Sequence, residues 1–293
     1  MRSGEVVAAE LPRVPVGDWF DGLVTWLTDN VEWLFDAVGA AVEGAVDGLT
    51  AVLTAPPPLV LTVVLAVLAL VLRGWKLSVF TLVGFGLIES MELWEPAMDS
   101  LALVLVAALV SVVISVPLGI AAARNDMVSR IVRPVLDLMQ TMPAFVYLIP
   151  AIFFFSIGVV PGVVATVVFA LPPGVRLTEL GIRGVDAEMV EAGEAFGTPP
   201  GRILTRIQIP LAMPSIMAGI NQLIMLSLSM VVIAGMVGAG GLGNEVLEGI
   251  QRVNIAQGFE GGVAVVVLAI FLDRITSALG DRTAVSRAMA QVS

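Results

Sequence analysis

The chain contains no cysteine and no histidine among its 293 residues. Thiol catalysis, imidazole acid–base chemistry and zinc sites of the usual kind are therefore excluded. Basic residues are also few: lysine and arginine together number 15 against 25 aspartates and glutamates, for a formal net charge of −10. Because nucleic-acid binding requires basic clusters that neutralise phosphates, this balance argues against nucleic acid as a partner.

Nucleotide-binding motifs are missing as well. Lys76 is the only lysine and follows Trp75 rather than glycine, so the chain has no phosphate-binding loop of the kind that holds ATP. Residues 238–243 satisfy the G-x-G-x-x-G spacing of dinucleotide-binding proteins, but they follow an apolar run and not a strand of a βαβ unit. We interpret these glycines as a helix end, a turn or a close approach to a neighbouring helix. No cofactor or metal is expected in this chain.

Apolar residues are abundant. They make up 58% of the chain against 14% charged residues, and the mean hydropathy is +0.98. This composition predicts a polytopic membrane protein. The apolar runs along the chain predict an all-α fold with about seven transmembrane helices. Several apolar runs are shorter than the roughly 20 residues that a straight span needs. Pro143 and Pro150 are expected to kink the fourth. The runs lie at about 59–72, 77–91, 100–123, 134–157, 162–173, 215–237 and 261–278.

Residues 1–56 are expected to form a loose tail and an acidic amphipathic helix, and residues 57–293 the membrane domain. Between residues 18 and 52, aspartates and glutamates recur at helical spacing opposite an apolar stripe. A helix on an anionic membrane surface normally has a basic polar face, but this one carries no lysine or arginine. We therefore expect its stripe to pack on the protein or the membrane interface while the acidic face stays in water. A regulatory or partner helix is the alternative.

Basic residues indicate the orientation, because cytoplasmic loops carry an excess of them. If the loop around Glu191 is cytoplasmic, seven spans place twelve basic residues inside and only Arg2, Arg13 and Arg252 outside. The amino terminus is then outside and the carboxyl terminus in the cytoplasm. The residues predicted inside are Arg73, Lys76, Arg124, Arg130, Arg133, Arg176, Arg183, Arg202, Arg206, Arg274, Arg282 and Arg287.

Residues 185–214 are a polar interruption between apolar runs, and we predict that they form two short helices. They belong to a longer loop at about 174–214. Asp186 is expected to cap the first helix and Gly197 to end it, while Thr198 and Pro199 are a cap and first-position pair for the second. Four residues of the first helix fall at positions i, i+3, i+4 and i+7 and predict one face with bulk at its ends and none at its centre. They are Met189, Ala192, Gly193 and Phe196.

The spacing of this loop resembles the EAA loop of ABC importer permeases. Glu191, Ala192 and Gly193 are followed by three residues, Gly197, nine further residues and the run IQIP that ends at Pro210. Two positions differ from the family pattern. Gly193 stands where the family has a second alanine, and Ile209 stands where it has leucine. Residues 134–158, 160–182 and 227–243 are similar to the glycine betaine and proline betaine permease subunits of these importers.

The resemblance implies a homodimeric permease in the cell membrane that imports compatible solutes. ATP and Mg²⁺ would bind to separate cytoplasmic ATPase subunits, and an extracytoplasmic binding protein would deliver the solute, so this chain would not itself be an enzyme. The first loop helix would insert into a groove of the ATPase. The residues to which the resemblance assigns this coupling are Met189, Val190, Glu191, Ala192, Gly193, Phe196, Gly197 and Pro210.

Polar residues within spans are the candidates for the translocation path, namely Gln140, Thr141, Asn221 and Gln222. Interhelical hydrogen bonding is an equally good interpretation of them. A permease for choline or an amino acid remains an alternative function. A secondary transporter is disfavoured, because no intramembrane carboxylate pair or inverted repeat is visible.

Overall fold

The structure, a computed structural model, describes residues 15–281, and these residues form helices joined by short turns, with no β-strand among them. The predicted all-α fold is confirmed. Most of the predicted tail, together with Arg2, Arg13, Arg282 and Arg287, lies outside the described residues. The helices are α1 (Val16–Thr54), α2 (Pro58–Arg73), α3 (Trp75–Ser90), α4 (Trp94–Arg124), α5 (Asp126–Thr141), α6 (Leu148–Phe155), α7 (Val159–Arg183), α8 (Ala187–Ala195), α9 (Pro200–Ile203), α10 (Ile209–Ser229), α11 (Val231–Gly235), α12 (Gly241–Gln251) and α13 (Ile255–Asp281).

Helices lie at all seven predicted spans. Among the described residues, five helices are long and apolar enough to cross a membrane, including α1, and the bent pair of α5 and α6 would make six. Helices α2 and α3 have 16 residues each. At about 1.5 Å per residue each is about 24 Å long, shorter than the hydrocarbon core, and the two pack together as a hairpin around Gly74.

Helix α7 corrects the prediction that the fifth span ends near residue 173. It continues through Pro172 and Pro173 to Arg183. Both prolines are buried, and neighbouring helices in a membrane compensate for the backbone bonds that proline removes. Helices α4 and α10 approach α7 closely: a Cβ on Gly174 would lie 2.4 Å from Ser115 Oγ, and one on Gly219 would lie 3.3 Å from the Pro173 carbonyl. These small residues allow the central helices to touch.

The fourth span is broken as predicted at Pro143, where α5 and the segment ending in α6 meet at 114°. Pro150 lies inside the first turn of α6 and produces no second break there. Helix α5 runs along α7, with Leu136 packed against Leu171 and Val175. The start of α5 therefore lies beside the end of α7, where Ser129 contacts Glu179 and Asp126 contacts Arg183.

Helix α1 is slightly longer than predicted and departs from helical geometry at Val31 (φ −131°). It packs on the membrane domain through Val46, Leu53 and Phe35, whose ring stacks on Phe154 at 4.5 Å. Part of its apolar side remains uncovered, including three tryptophans seven residues apart: Trp19, Trp26 and Trp33.

The glycine motif at residues 238–243 lies at the turn between α11 and α12, as the sequence indicates. Gly240 and Gly241 have φ of +74° and +66°, a region that disfavours other residues. The Leu242 amide donates a hydrogen bond to Ser100 Oγ at 2.8 Å, which ties the turn to α4. These glycines reverse the chain and allow close packing.

Candidate functional site

The predicted loop at about 174–214, named the coupling loop for its expected role, begins only after Arg183, because residues 174–183 belong to α7. Its first helix is α8, whose two ends are closed as predicted. The Asp186 carboxylate accepts a hydrogen bond from the Glu188 amide at 3.0 Å. At the other end Gly197 has φ of +72°, its amide donates to the Glu194 carbonyl at 2.8 Å, and the Thr198 amide donates to the Gly193 carbonyl at 3.1 Å. This is the pair of bonds of a Schellman motif, which satisfies carbonyls at the end of a helix and turns the chain.

The start of the second loop helix differs from the prediction by one residue. Helix α9 begins at Pro200, with Pro199 as its N-cap and no side-chain cap, so Thr198 and Pro199 are not its cap and first residue. The reason is that Pro199 precedes a proline, which disfavours helical geometry, and it is extended (φ −64°, ψ 148°). A π-helical turn, Leu204–Gln208, then leads into α10. Pro210 has no amide hydrogen to close the regular bond to Arg206, which fits this wide turn.

Gly193 is the main correction to the predicted docking face. It is buried against the chain's own residues: a Cβ there would lie 3.0 Å from Ile207 Cδ1 and 3.4 Å from Ile203 Cγ1. Glycine therefore lets α8 lie close to α9 and the π-helical turn, and it does not form the recess of an outward face. The one-face expectation fails because Met189 and Phe196 point away from this contact and Gly193 points into it.

Three of the predicted residues form an exposed apolar surface, the docking patch, defined as Met189, Ala192 and Phe196. Phe196 is 90% exposed and Met189 is 49% exposed, and Ala192 is also exposed. A phenylalanine in water is a marker of an interaction surface when it stands beside other apolar groups.

Val190 and Glu191 lie on another side of α8. Both line a cavity of about 630 Å³ between the loop and the ends of α4 and α7. Arg124 and Arg183 also line this cavity. This cavity separates most of α8 from the membrane helices, so the loop is attached chiefly through Gly193 and its neighbours and through the two chain connections.

A buried carboxylate lies near the end of α7, shortly before the coupling loop begins. Glu179 is 4% exposed, and its Oε1 accepts hydrogen bonds from Ser129 Oγ at 2.7 Å and Arg133 Nη2 at 2.9 Å, while Arg183 Nε lies 3.1 Å away. Because a buried carboxylate needs paired charge and hydrogen bonds, these contacts hold α5 against α7.

Arg183 extends the network to α4. Its guanidinium donates to the Ala122 carbonyl at 2.8 Å and pairs with Asp126 at 2.8 Å. Asp137 and Arg176 make a further ion pair between α5 and α7. The ends of three helices are thus joined directly before the coupling loop. This network was not predicted from the sequence, although Glu179 and Arg183, four residues apart on an apolar span, were a signal for it.

The predicted pathway residues differ in their surroundings. Asn221 joins two helices: its amide donates to Asp273 Oδ1 at 3.1 Å, and its carbonyl accepts from Thr276 Oγ1 at 2.7 Å. These bonds favour the interpretation that Asn221 joins helices and does not line the translocation path. Gln140, Thr141 and Gln222 are exposed in the single chain, and the Thr141 hydroxyl bonds only to its own helix, at the Leu138 carbonyl.

The coupling loop and the helices around it lie within the part of the chain that matches a family model. Residues 115–285 match the model described as binding-protein-dependent transport system inner membrane component. The chain belongs to this family.

Similar proteins within the family are permeases. The chain is 50% identical over 266 residues to the glycine betaine transport system permease protein OpuAB of Bacillus subtilis, covering 91% of this chain and 94% of that one. It is 46% identical to the glycine betaine/carnitine transport permease protein GbuB of Listeria monocytogenes, covering 93% and 98%. It is also 46% identical to the glycine betaine/proline betaine permease protein ProW of Escherichia coli, covering 91% and 75%.

A solved structure supports the same assignment of fold. An inward-facing structure of the MetNI methionine ABC transporter matches with a TM-score of 0.54 and 26% identity, covering 64% of this chain and 92% of that one. The membrane-component fold expected from the loop spacing is thereby confirmed, and the chain is a multi-pass membrane permease.

Proposed function

We propose that this chain is the permease subunit of an ATP-driven importer for glycine betaine, proline betaine or a similar compatible solute. The observation that carries the proposal is the 50% identity to a glycine betaine permease over nearly the whole of both chains. Two copies would surround a central path, and an extracytoplasmic binding protein would supply the solute.

The docking patch is the surface on which a separate ATPase acts. Burying the Phe196 and Met189 side chains in a groove would contribute about 1.5 to 3 kcal/mol each, which supports a stable contact between subunits. ATP and Mg²⁺ would be held by that ATPase. The motion reaches the membrane helices by two routes: through the Gly193 contact into the π-helical turn and α10, and through α7 with its network around Glu179.

The orientation follows from the same assignment. Gly280, near the end of α13, lies against Met217 near the start of α10, and Arg274 shares a cavity with Arg73 and Lys76. The turn between α2 and α3, the end of α13 and the coupling loop are therefore on one side of the domain, which supports a basic cytoplasmic face. The amino terminus and α1 would then be outside.

Co-reconstitution tests this function. The permease, the ATPase and the binding protein are placed in liposomes with ATP inside, and uptake of labelled glycine betaine is measured. We expect uptake only when all three proteins and ATP are present. Uptake driven by an ion gradient without the ATPase would show a secondary transporter. Competition by unlabelled choline or amino acids at lower concentrations than betaine would indicate the alternative substrate.

A further inference from the structure

Three basic residues meet at one cavity where the turn between α2 and α3 lies beside α13. The cavity has a volume of about 380 Å³ and is lined by Arg73, Lys76 and Arg274. Its other lining residues are apolar, namely Leu77, Phe80 and Ile270. Such a combination offers charge at one end and a hydrocarbon surface at the other.

Positive charge is in excess here. Lys76 has no acidic side chain within ion-pair distance in the part of the chain that the structure describes. Arg274 lies 3.9 Å from the Asp273 carboxylate, but that carboxylate also accepts the hydrogen bond from Asn221. Arg73 has other interactions, so Lys76 and Arg274 are the two cations that face the cavity's ligand. An anion is the ligand that such a cavity favours.

Apolar side chains continue from this cavity along α3, and we call the surface that they form with α13 the groove. After Lys76, the residues Phe80, Val83 and Leu87 follow at steps of four, three and four, which places them on one face of the helix. Val83 and Leu87 are exposed, so this face is uncovered in the single chain. From Lys76 to Leu87 the groove is about 16 Å long at 1.5 Å per residue.

Helix α13 forms the other wall. Its residues Val266 and Ile270 precede Arg274 at steps of four and are exposed like their counterparts on α3. The two walls are held together behind the groove, where the rings of Phe85 and Phe271 meet edge to face at 5.2 Å. The walls therefore keep a fixed distance, with both charged groups at the same end.

We propose that this groove binds one anionic phospholipid. Its phosphate would lie between Lys76 and Arg274, and an acyl chain would follow the apolar face from Phe80 to Leu87. Exposed Trp75 at the adjoining turn fits the headgroup depth, where aromatic residues are enriched. Basic pockets between membrane helices on the cytoplasmic side recognise such headgroups.

The continuous apolar groove distinguishes a lipid from a soluble anion. Inorganic phosphate would use the two cations alone and leave the groove empty. A zwitterionic lipid would fill the groove, but its own cation would offset the phosphate charge. Of these three ligands, the anionic phospholipid is the one that satisfies both ends.

The test is native mass spectrometry of the purified full-length permease titrated with phosphatidylglycerol. We expect one tightly bound lipid per chain, and the double variant Lys76→Gln with Arg274→Gln should raise its Kd roughly 30-fold, from the contribution of two basic residues near a membrane surface. The charge-conserving double variant Lys76→Arg with Arg274→Lys should have a Kd within about threefold of that of the unmodified chain. Arg130→Gln with Arg206→Gln removes two exposed charges elsewhere and should leave the Kd unchanged.

Three outcomes would overturn the proposal. The first is that the double variant Lys76→Gln with Arg274→Gln binds phosphatidylglycerol with the same Kd as the unmodified chain. The second is phosphatidylcholine binding as tightly as phosphatidylglycerol, which would make the groove a general lipid surface. The third is displacement of phosphatidylglycerol by millimolar inorganic phosphate, which would make the cavity a soluble-anion site. Because binding is measured on the permease alone, these outcomes are independent of transport.

Discussion

Glu179 is the residue on which the contact between α5 and α7 depends most. Its carboxylate is buried, and it bonds to one serine and two arginines that come from both helices. The contacts with Ser129 and Arg133 join residues 50 and 46 positions apart, so no local pattern predicts them. The caps at Asp186 and Gly197 were predictable because they depend only on neighbouring residues.

Glu179→Gln should lower the stability of the permease by about 2 kcal/mol. This is below the 3 to 5 kcal/mol lost from fully buried pairs, because Arg133 reaches solvent. Ser129→Ala removes one hydrogen bond and should cost about 1 kcal/mol. Thermal unfolding in detergent should therefore rank the unmodified chain first, Ser129→Ala second and Glu179→Gln last. The reverse order of the two variants would contradict the network described here.

Asn221 and Gln222 are neighbours with different surroundings, and the pair separates a structural role from a pathway role. Asn221→Ala removes two interhelical bonds and should destabilise the protein by about 0.6 kcal/mol for each. Gln222→Ala should leave the unfolding temperature unchanged, because Gln222 is exposed. If Gln222 lines the path, solute uptake should fall. Unchanged uptake in Gln222→Ala would remove it from the path.

At the scale of helices, the proposed coupling requires a fixed arrangement of α8 and α9. Sequence periodicity predicted the extent of α8 but assigned Gly193 to the outward face. The direction of Gly193 depends on Ile203 and Ile207, which reach it only because the Schellman turn and the π-helical turn fold the chain back. Similarly, α7 continues through Pro172 and Pro173, both of which are buried among neighbouring helices, although proline alone predicts a helix end. Both errors arise where tertiary packing overrides a local pattern.

Gly197→Val should change the angle between α8 and α9 without removing the docking patch. A residue with a Cβ adopts the Gly197 backbone only at a cost of about 1 to 2 kcal/mol, so α9 should leave α8 at another angle. We expect the ATPase to copurify while its ATP turnover loses stimulation by the solute. Gly201→Val is the control, because Gly201 lies in α9 and has open space beside it. Normal stimulation in Gly197→Val would show that the turn is not required.

For the whole molecule, composition alone predicted the class, and the charge pattern predicted an orientation that remains a prediction. The structure places the basic ends of several helices on one side of the domain, a result that requires the tertiary fold. Pro143 predicted a kink in the fourth span, but neither the 114° angle of that break nor the packing of α5 along α7 was predictable. Both depend on contacts between elements.

The orientation can be measured directly because the chain has no cysteine of its own. Single cysteines at exposed Asp29 and Gln251 should react with a membrane-impermeant maleimide in intact cells. A cysteine at exposed Glu188 should react only after permeabilisation. Labelling of Asp29→Cys and Glu188→Cys from the same side would contradict the proposed topology.

The claim that the docking patch couples this permease to an ATPase is tested most directly by one substitution. Phe196→Asp places a charge on the most exposed part of the patch, where it costs the folded permease little. Phe259→Asp is the matched control, because Phe259 is similarly exposed on α13 outside the coupling loop. The measurement is the amount of ATPase that copurifies with each permease, together with ATP-dependent betaine uptake. We predict that Phe196→Asp loses both and that Phe259→Asp keeps both. Stoichiometric ATPase and normal uptake with Phe196→Asp would contradict the account.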